Sequence, residues 1–182
     1  MKKRMMFKIP AMIVMGIILV TGASCSSTSP TTGNSGTVPT NTTGLIVSAV
    51  TSTAGGNYAP RNVVAIWVEN SSGTFVKSLT VYAAARAADL TKWAASSGGS
   101  TTDARTGATQ SNFGTVYGTW NGTNTSGAVV ADGTYKVCME LTDKNGTGNF
   151  SSFTFTKGTA TSTQTPANTS SFSSVTIKWM PL

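Results

Sequence analysis

The chain has 182 residues, a formal charge of +7 and no histidine. Without imidazole there is no Ser-His-Asp triad, no Cys-His pair, no His-ligated haem and no zinc site of the usual kind. The six acids (Glu69, Asp89, Asp103, Asp132, Glu140, Asp143) form no Asp-x-Asp-x-Asp calcium loop, so no metal site is expected.

The first residues, Met1-Lys2-Lys3-Arg4, are basic, an apolar run follows from Ile9 to Val20, and small residues close the segment. These are the three parts of a secretion signal, expected over 1–24. The 12-residue apolar run is shorter than the roughly 20 residues that span a bilayer, which disfavours an uncleaved anchor. The exit Gly22-Ala23-Ser24-Cys25 resembles a lipobox, in which Cys25 would carry diacylglycerol and become the mature N-terminus. Gly22 departs from the Leu, Val or Ile usual there, and cleavage by an ordinary signal peptidase after Ala23 is the alternative. With Cys25 lipidated, Cys138 has no intrachain partner and no disulfide framework is expected.

The charge is largely a targeting feature. Lys2, Lys3, Arg4 and Lys8 lie in the signal, and the other nine basic residues against six acids leave +3. Those nine are scattered and form no cluster, so no nucleic-acid partner is expected. Residues 25–43 are rich in Ser, Thr, Gly, Asn and Pro and carry too little apolar surface to order themselves. They are expected to form a lipid-anchored tether ahead of a folded domain over 44–182.

From Gly44 the pattern becomes one of short strands. Strands are expected at 45–51, 63–69, 75–82, 115–120, 133–143, 150–157 and 172–180. In the second, Val64, Ile66 and Val68 share one face, and Val63, Ala65 and Trp67 share the other. Apolar residues on both faces mark a central strand. Asn70 to Gly73 is a hairpin turn. Ala83 to Ser96 reads as one Ala-rich helix stopped by Gly98-Gly99. Residues 97–114 read as a long surface loop, a class that is usually functional or disordered. In the strand over 133–143, Tyr135, Val137, Met139 and Leu141 alternate with Lys136, Cys138, Glu140 and Thr142, giving one buried and one polar face. Asn121-Gly122 and Ser126-Gly127 are turn dipeptides, and Trp120 is expected in the core. The expected fold is all-β, an immunoglobulin-like two-sheet sandwich with one short helix and a long loop.

Two stretches carry a family resemblance. Tyr58 to Glu69 with Gly73 to Leu79, and Thr119 to Gly127 with Asp132 to Tyr135, resemble the predicted periplasmic proteins of domain-of-unknown-function family 2271. The second stretch is also similar to the immunoglobulin-like domain of flagellar hook-capping proteins. The resemblance implies a sandwich fold and a cell-envelope location, periplasmic or as an outer-membrane or cell-surface lipoprotein.

Within the long loop, Asp103-Ala104-Arg105-Thr106-Gly107-Ala108-Thr109 fits Asp-x-x-Ser/Thr-Gly-Ala-Ser/Thr. This resembles the site modified by FAD:protein FMN transferases. The resemblance implies Thr109 as the hydroxyl that takes FMN as a phosphoester, with Asp103, Thr106, Gly107 and Ala108 as recognition residues. Arg105 is a candidate to face the phosphate, and Trp67, Trp93 or Tyr117 to cover the flavin ring. Core packing is the competing role for each aromatic residue. The implied protein is an electron carrier served by a transferase and a membrane redox partner, and not itself an enzyme. The alternatives are a structural, adhesive or ligand-binding envelope lipoprotein without cofactor. A sugar-binding module among these would use surface aromatics, whereas the four tryptophans mostly sit in apolar alternation, which argues for burial.

Overall fold

A computed structural model describes residues 36–40 and 43–182, all within one compact unit. The signal segment and Cys25 lie outside the described residues. No helix among the described residues is long and apolar enough to cross a membrane.

Two sheets face each other. The four-stranded sheet has the order β5-β1-β9-β8, and the five-stranded sheet the order β4-β3-β2-β6-β7. The strands are β1 (Gly44–Thr51), β2 (Val63–Asn70), β3 (Phe75–Tyr82), β4 (Arg105–Gly107), β5 (Thr115–Trp120), β6 (Gly133–Thr142), β7 (Asn149–Lys157), β8 (Ser162–Gln164) and β9 (Phe172–Met180). The run β3-β2-β6-β7 consists of two hairpins joined by antiparallel pairing of β2 with β6. This matches the C′-C-F-G sheet of an immunoglobulin-like sandwich.

The expected alternation builds the interior. Leu45, Val47, Val64, Ile66, Val68, Val137, Met139, Ile177 and Trp179 meet between the sheets. Trp120 is buried there against Tyr135, Phe155 and Trp179, and its indole N–H donates to the Thr123 carbonyl at 2.6 Å. Gly122 and Gly127 sit at φ +74° and +83° in the turns that follow, as their turn dipeptides require. All four tryptophans are at most 3% exposed, so no platform of surface tryptophans is available to stack on a sugar.

β2 is central, and its second apolar face is covered too. Val63, Ala65 and Trp67 pack with Val81, Leu90, Trp93 and Cys138 in a second cluster outside the sandwich. The cover is the connection from β3 to β4. Because β4 pairs parallel with β3, the chain must cross over rather than turn back, and it lays helical segments across the outer face of the sheet.

That crossover corrects three expectations. The single helix over 83–96 is a 3-10 segment (Ala84–Asp89), kinked at Arg86, followed by helix α1 (Thr91–Ser97). It breaks at Leu90, which is fully buried while its neighbours are drawn elsewhere. Arg86 reaches the Lys144 carbonyl at 2.6 Å, and Asp89 accepts the Gly146 N–H at 3.0 Å. Gly98, at φ +60°, ends α1 as expected. The loop over 97–114 contains edge strand β4, which has no apolar pattern to announce it. The polar face of β6 is not a solvent face, since Cys138, Glu140 and Thr142 are all fully buried beneath the crossover. Strand β8, three residues long, also goes unsignalled.

Of the expected tether, residues 36–40 lie beside the four-stranded sheet. Val38, Pro39 and Thr40 line a shallow cleft with Ile46, Ser48, Thr176 and Lys178. Val38 and Pro39 supply the apolar contact that their Ser/Thr-rich surroundings lack.

Burial pushes the Cys138 thiol well above the usual thiol range, with the Glu69 carboxylate adding to the effect. A thiol so placed is neither nucleophilic nor accessible. Iodoacetamide should therefore leave Cys138 unlabelled in the folded protein and label it fully in denaturant, as read by peptide mass. Prompt labelling of the native state would contradict this packing.

Candidate functional site

The Asp103–Thr109 segment is fixed at both ends. At its start, Ala104 N–H donates to the Thr101 carbonyl at 2.9 Å, closing a tight turn with Asp103 at φ +56°. Aspartate tolerates this region better than most residues. The Asp103 carboxylate accepts a hydrogen bond from buried Lys77 at 2.8 Å. The Lys77 ammonium also donates to Thr123 Oγ1 at 3.2 Å and to the Asn124 carbonyl at 3.3 Å. Asp103 thus ties the segment to the Trp-Asn-Gly turn region.

In the middle, Arg105, Thr106 and Gly107 form β4 beside Thr80, Val81 and Tyr82. Gly107 is required by a close approach: a Cβ there would stand 2.9 Å from Cδ1 of Tyr82. Arg105 lays its guanidinium over Tyr117 at 4.3 Å and towards Tyr82 at 5.6 Å. This engagement takes it away from the pocket that Thr109 lines. Ala108 is exposed, and its carbonyl accepts from the Gln110 side chain at 2.9 Å.

At the end, Gln110 and Asn62 exchange backbone hydrogen bonds of 2.8 and 3.0 Å. Thr109 is therefore pinned next to the start of β2. It is half-buried, and its hydroxyl has no hydrogen-bond partner among the described residues. It lines a pocket of about 400 Å³ with Tyr58, Arg61, Arg86, Ser111 and Asn145. Two arginines and a threonine on the lining of one pocket, with Arg86 already paired to Asp89, make a basic cradle of a kind suited to a phosphate ester.

Arg61 and Arg86 are the residues that sequence reasoning missed, because they stand far from the motif in the chain. Arg86 is oriented by Asp89 at 2.9 Å and packs over Tyr58 at 4.8 Å. The loop carrying Tyr58 and Arg61 is held by the buried carboxylate of Asp143. It accepts from Thr53 Oγ1 at 2.5 Å, Gly56 N–H at 2.8 Å and Ala54 N–H at 3.1 Å. Gly56 is needed because a Cβ there would stand 2.3 Å from the Asp143 carbonyl oxygen.

A second pocket of about 700 Å³ opens beside β4. Its walls are Val81, Ala87, Ala88, Trp93, Thr106 and Gly107, among others. Of the three candidate aromatics, Trp93 lines this pocket, donating through its indole to Ser78 Oγ at 2.9 Å. Ser78 in turn donates to the Ser100 carbonyl at 2.6 Å. Trp67 is buried against Phe150 with its indole on Glu69, and Tyr117 lies beneath Arg105. Among the described residues no cluster of acids and thiols is placed to hold a metal ion.

The matching family model is "Predicted periplasmic protein (DUF2271)", over residues 47–173, from β1 into β9. The chain belongs to this family of predicted periplasmic proteins. No curated protein and no solved structure gives a significant match. The family region contains the whole motif segment and every residue named above as lining its two pockets.

Two predictions follow from the way the segment is held. Gly107→Ala should cost about 1–3 kcal/mol through the Tyr82 clash, and an unchanged urea midpoint would contradict that contact. The second concerns buried Glu140, whose carboxylate accepts the Trp93 N–H at 2.8 Å and the Lys92 N–H at 3.1 Å. Burial pushes its carboxyl above the usual range, while those N–H groups pull the other way. The folded state then holds this proton more tightly than the unfolded chain. Its contribution to stability is full below the ordinary glutamate range and is lost as pH rises through the raised folded value. Relative to Glu140→Gln, the wild-type melting temperature should fall as pH rises from that range to neutral. A pH-independent difference would contradict the assignment.

Proposed function

We propose that this protein is an extracytoplasmic electron carrier with FMN esterified to Thr109, held at a membrane by a lipid on Cys25. The observation that carries the reading is the setting of the Thr109 hydroxyl. It ends a complete Asp-x-x-Thr-Gly-Ala-Thr motif and is engaged by no described residue, and Thr109 lines one pocket with Arg61 and Arg86.

The attachment step is a phosphoryl transfer catalysed by an FAD:protein FMN transferase. The Thr109 oxygen bonds to the FMN phosphorus of FAD, the pyrophosphate P–O bond breaks, and AMP leaves. The hydroxyl proton passes to a base of the transferase. Edge strand β4 suits this step, because one side of it is unpaired and Arg105, Thr106 and Ala108 are exposed. Once attached, the flavin supplies the redox chemistry. The chain's own part is to bind the phosphate through Arg61 and Arg86 and to fix its position through the Asn62–Gln110 bridge. Electrons would come from a membrane redox partner and leave to a second acceptor, with no substrate converted by the protein itself. Family membership among predicted periplasmic proteins supports the compartment, in which a covalent cofactor cannot be lost by diffusion.

The alternative is a structural or adhesive envelope lipoprotein, which the hook-cap-like Trp-Asn-Gly turn would suit. It leaves the cationic cradle beside Thr109 without a role.

Co-production with an active FMN transferase should give wild-type protein one FMN phosphoester of added mass and flavin absorbance. Thr109→Ala should remain colourless, and Thr109→Ser should retain the modification. Unmodified wild-type mass, with the transferase active on a known substrate, would leave the structural alternative.

A further inference from the structure

The apolar pocket beside β4 has a volume of about 700 Å³, within the range of small-molecule sites. It is concave because its walls are built from small residues. Ala87 and Ala88 of the 3-10 segment and Thr106 and Gly107 of β4 line it, and the buried Trp93 closes its base. Two structural elements are shared with the cationic pocket. The 3-10 segment gives alanines to one pocket and Arg86 to the other. The motif strand gives Thr106 and Gly107 to one and Thr109 to the other. Gly107 and Thr109 are two residues apart, a separation of at most about 7 Å along an extended chain. An ester on Thr109 thus starts beside the mouth of an apolar slot.

We infer that this slot takes the isoalloxazine ring of the flavin, while Arg61 and Arg86 hold its phosphate. The inference rests on the proposed flavinylation of Thr109 and adds the ring's location. The chemistry matches at each end: the monoanionic phosphodiester meets a pocket lined by two arginines, and a flat, weakly polar ring meets alanines and glycine. The ribityl chain spans the turn from Thr109 back to Gly107. Burial of the ring among the alanines of the slot removes apolar surface from water and shields the flavin from solutes. Trp93 itself is a positioning residue, braced by Ser78 and by the hold of Glu140 on its backbone N–H.

The test is iodide quenching of flavin fluorescence in the full-length protein, flavinylated in the cell and checked by intact mass. The wild type should show a quenching constant several-fold below that of free FMN. Ala88→Leu and Thr101→Leu each fill the slot from an exposed wall position and leave Thr109 in place. Both should carry the same adduct mass, with quenching rising towards that of free FMN.

A wild-type adduct as open to iodide as free FMN would overturn the ring's placement and leave flavinylation standing. Equal shielding in the wild type and both filled variants would also overturn it, locating the ring elsewhere. Absence of the adduct mass would remove the flavinylation reading and this inference together.

Discussion

Buried Glu140 lies on the outer face of the five-stranded sheet, and its carboxylate receives the backbone N–H groups of Lys92 and Trp93. Those groups belong to the first turn of α1, which has no side-chain cap of its own. A helix start left unsatisfied under a buried cover would be costly. Glu140 satisfies it from a neighbouring strand and so fixes where the β3–β4 crossover lies. With the crossover in place, Trp93 reaches Ser78, Leu90 fills the outer cluster, and Arg86 is brought over Tyr58. The parallel pairing of β4, and with it the path of the whole motif segment, depends on that cover.

The same constraint explains why two pockets sit side by side. The crossover buries Leu90 and Trp93 against the sheet, and its alanines leave the apolar slot open beside β4. Arg86 leaves the alanine face and turns towards the β6–β7 loop and the Thr109 pocket. A bulkier crossover would close the apolar slot, and one without Arg86 would halve the cationic cradle. From the opposite side, Asp143 holds the 53–58 loop and so presents Tyr58 and Arg61. Two buried carboxylates on or next to β6, Glu140 and Asp143, thus organise the two walls that meet at Thr109.

Much of this was legible in the sequence. Strands β2, β3, β5, β6 and β9 follow from their apolar alternation, and the two apolar faces of β2 correctly mark it as central. Strands β4 and β8 were not legible, because three residues without apolar periodicity look like loop until a neighbour pairs with them. The outer face of β6 was misread for a related reason. Cys138, Glu140 and Thr142 look like a solvent face, but the crossover that buries them lies more than forty residues earlier in the chain. At the site, the motif marks Thr109 and its flanking residues by local pattern alone. Arg61 and Arg86 carry no pattern, and only the folded chain brings them to Thr109, while Arg105, adjacent in sequence, is drawn off by Tyr117.

The account turns on one covalent bond, and locating it is the most direct test. The measurement is tandem mass spectrometry of proteolytic peptides from the protein purified out of a cell envelope that contains an active FMN transferase. The account predicts one FMN phosphoester, carried by the peptide containing Asp103 to Gln110 and assigned by its fragments to the Thr109 oxygen. An unmodified peptide, or FMN located on Thr106 or on a hydroxyl outside this segment, would contradict it.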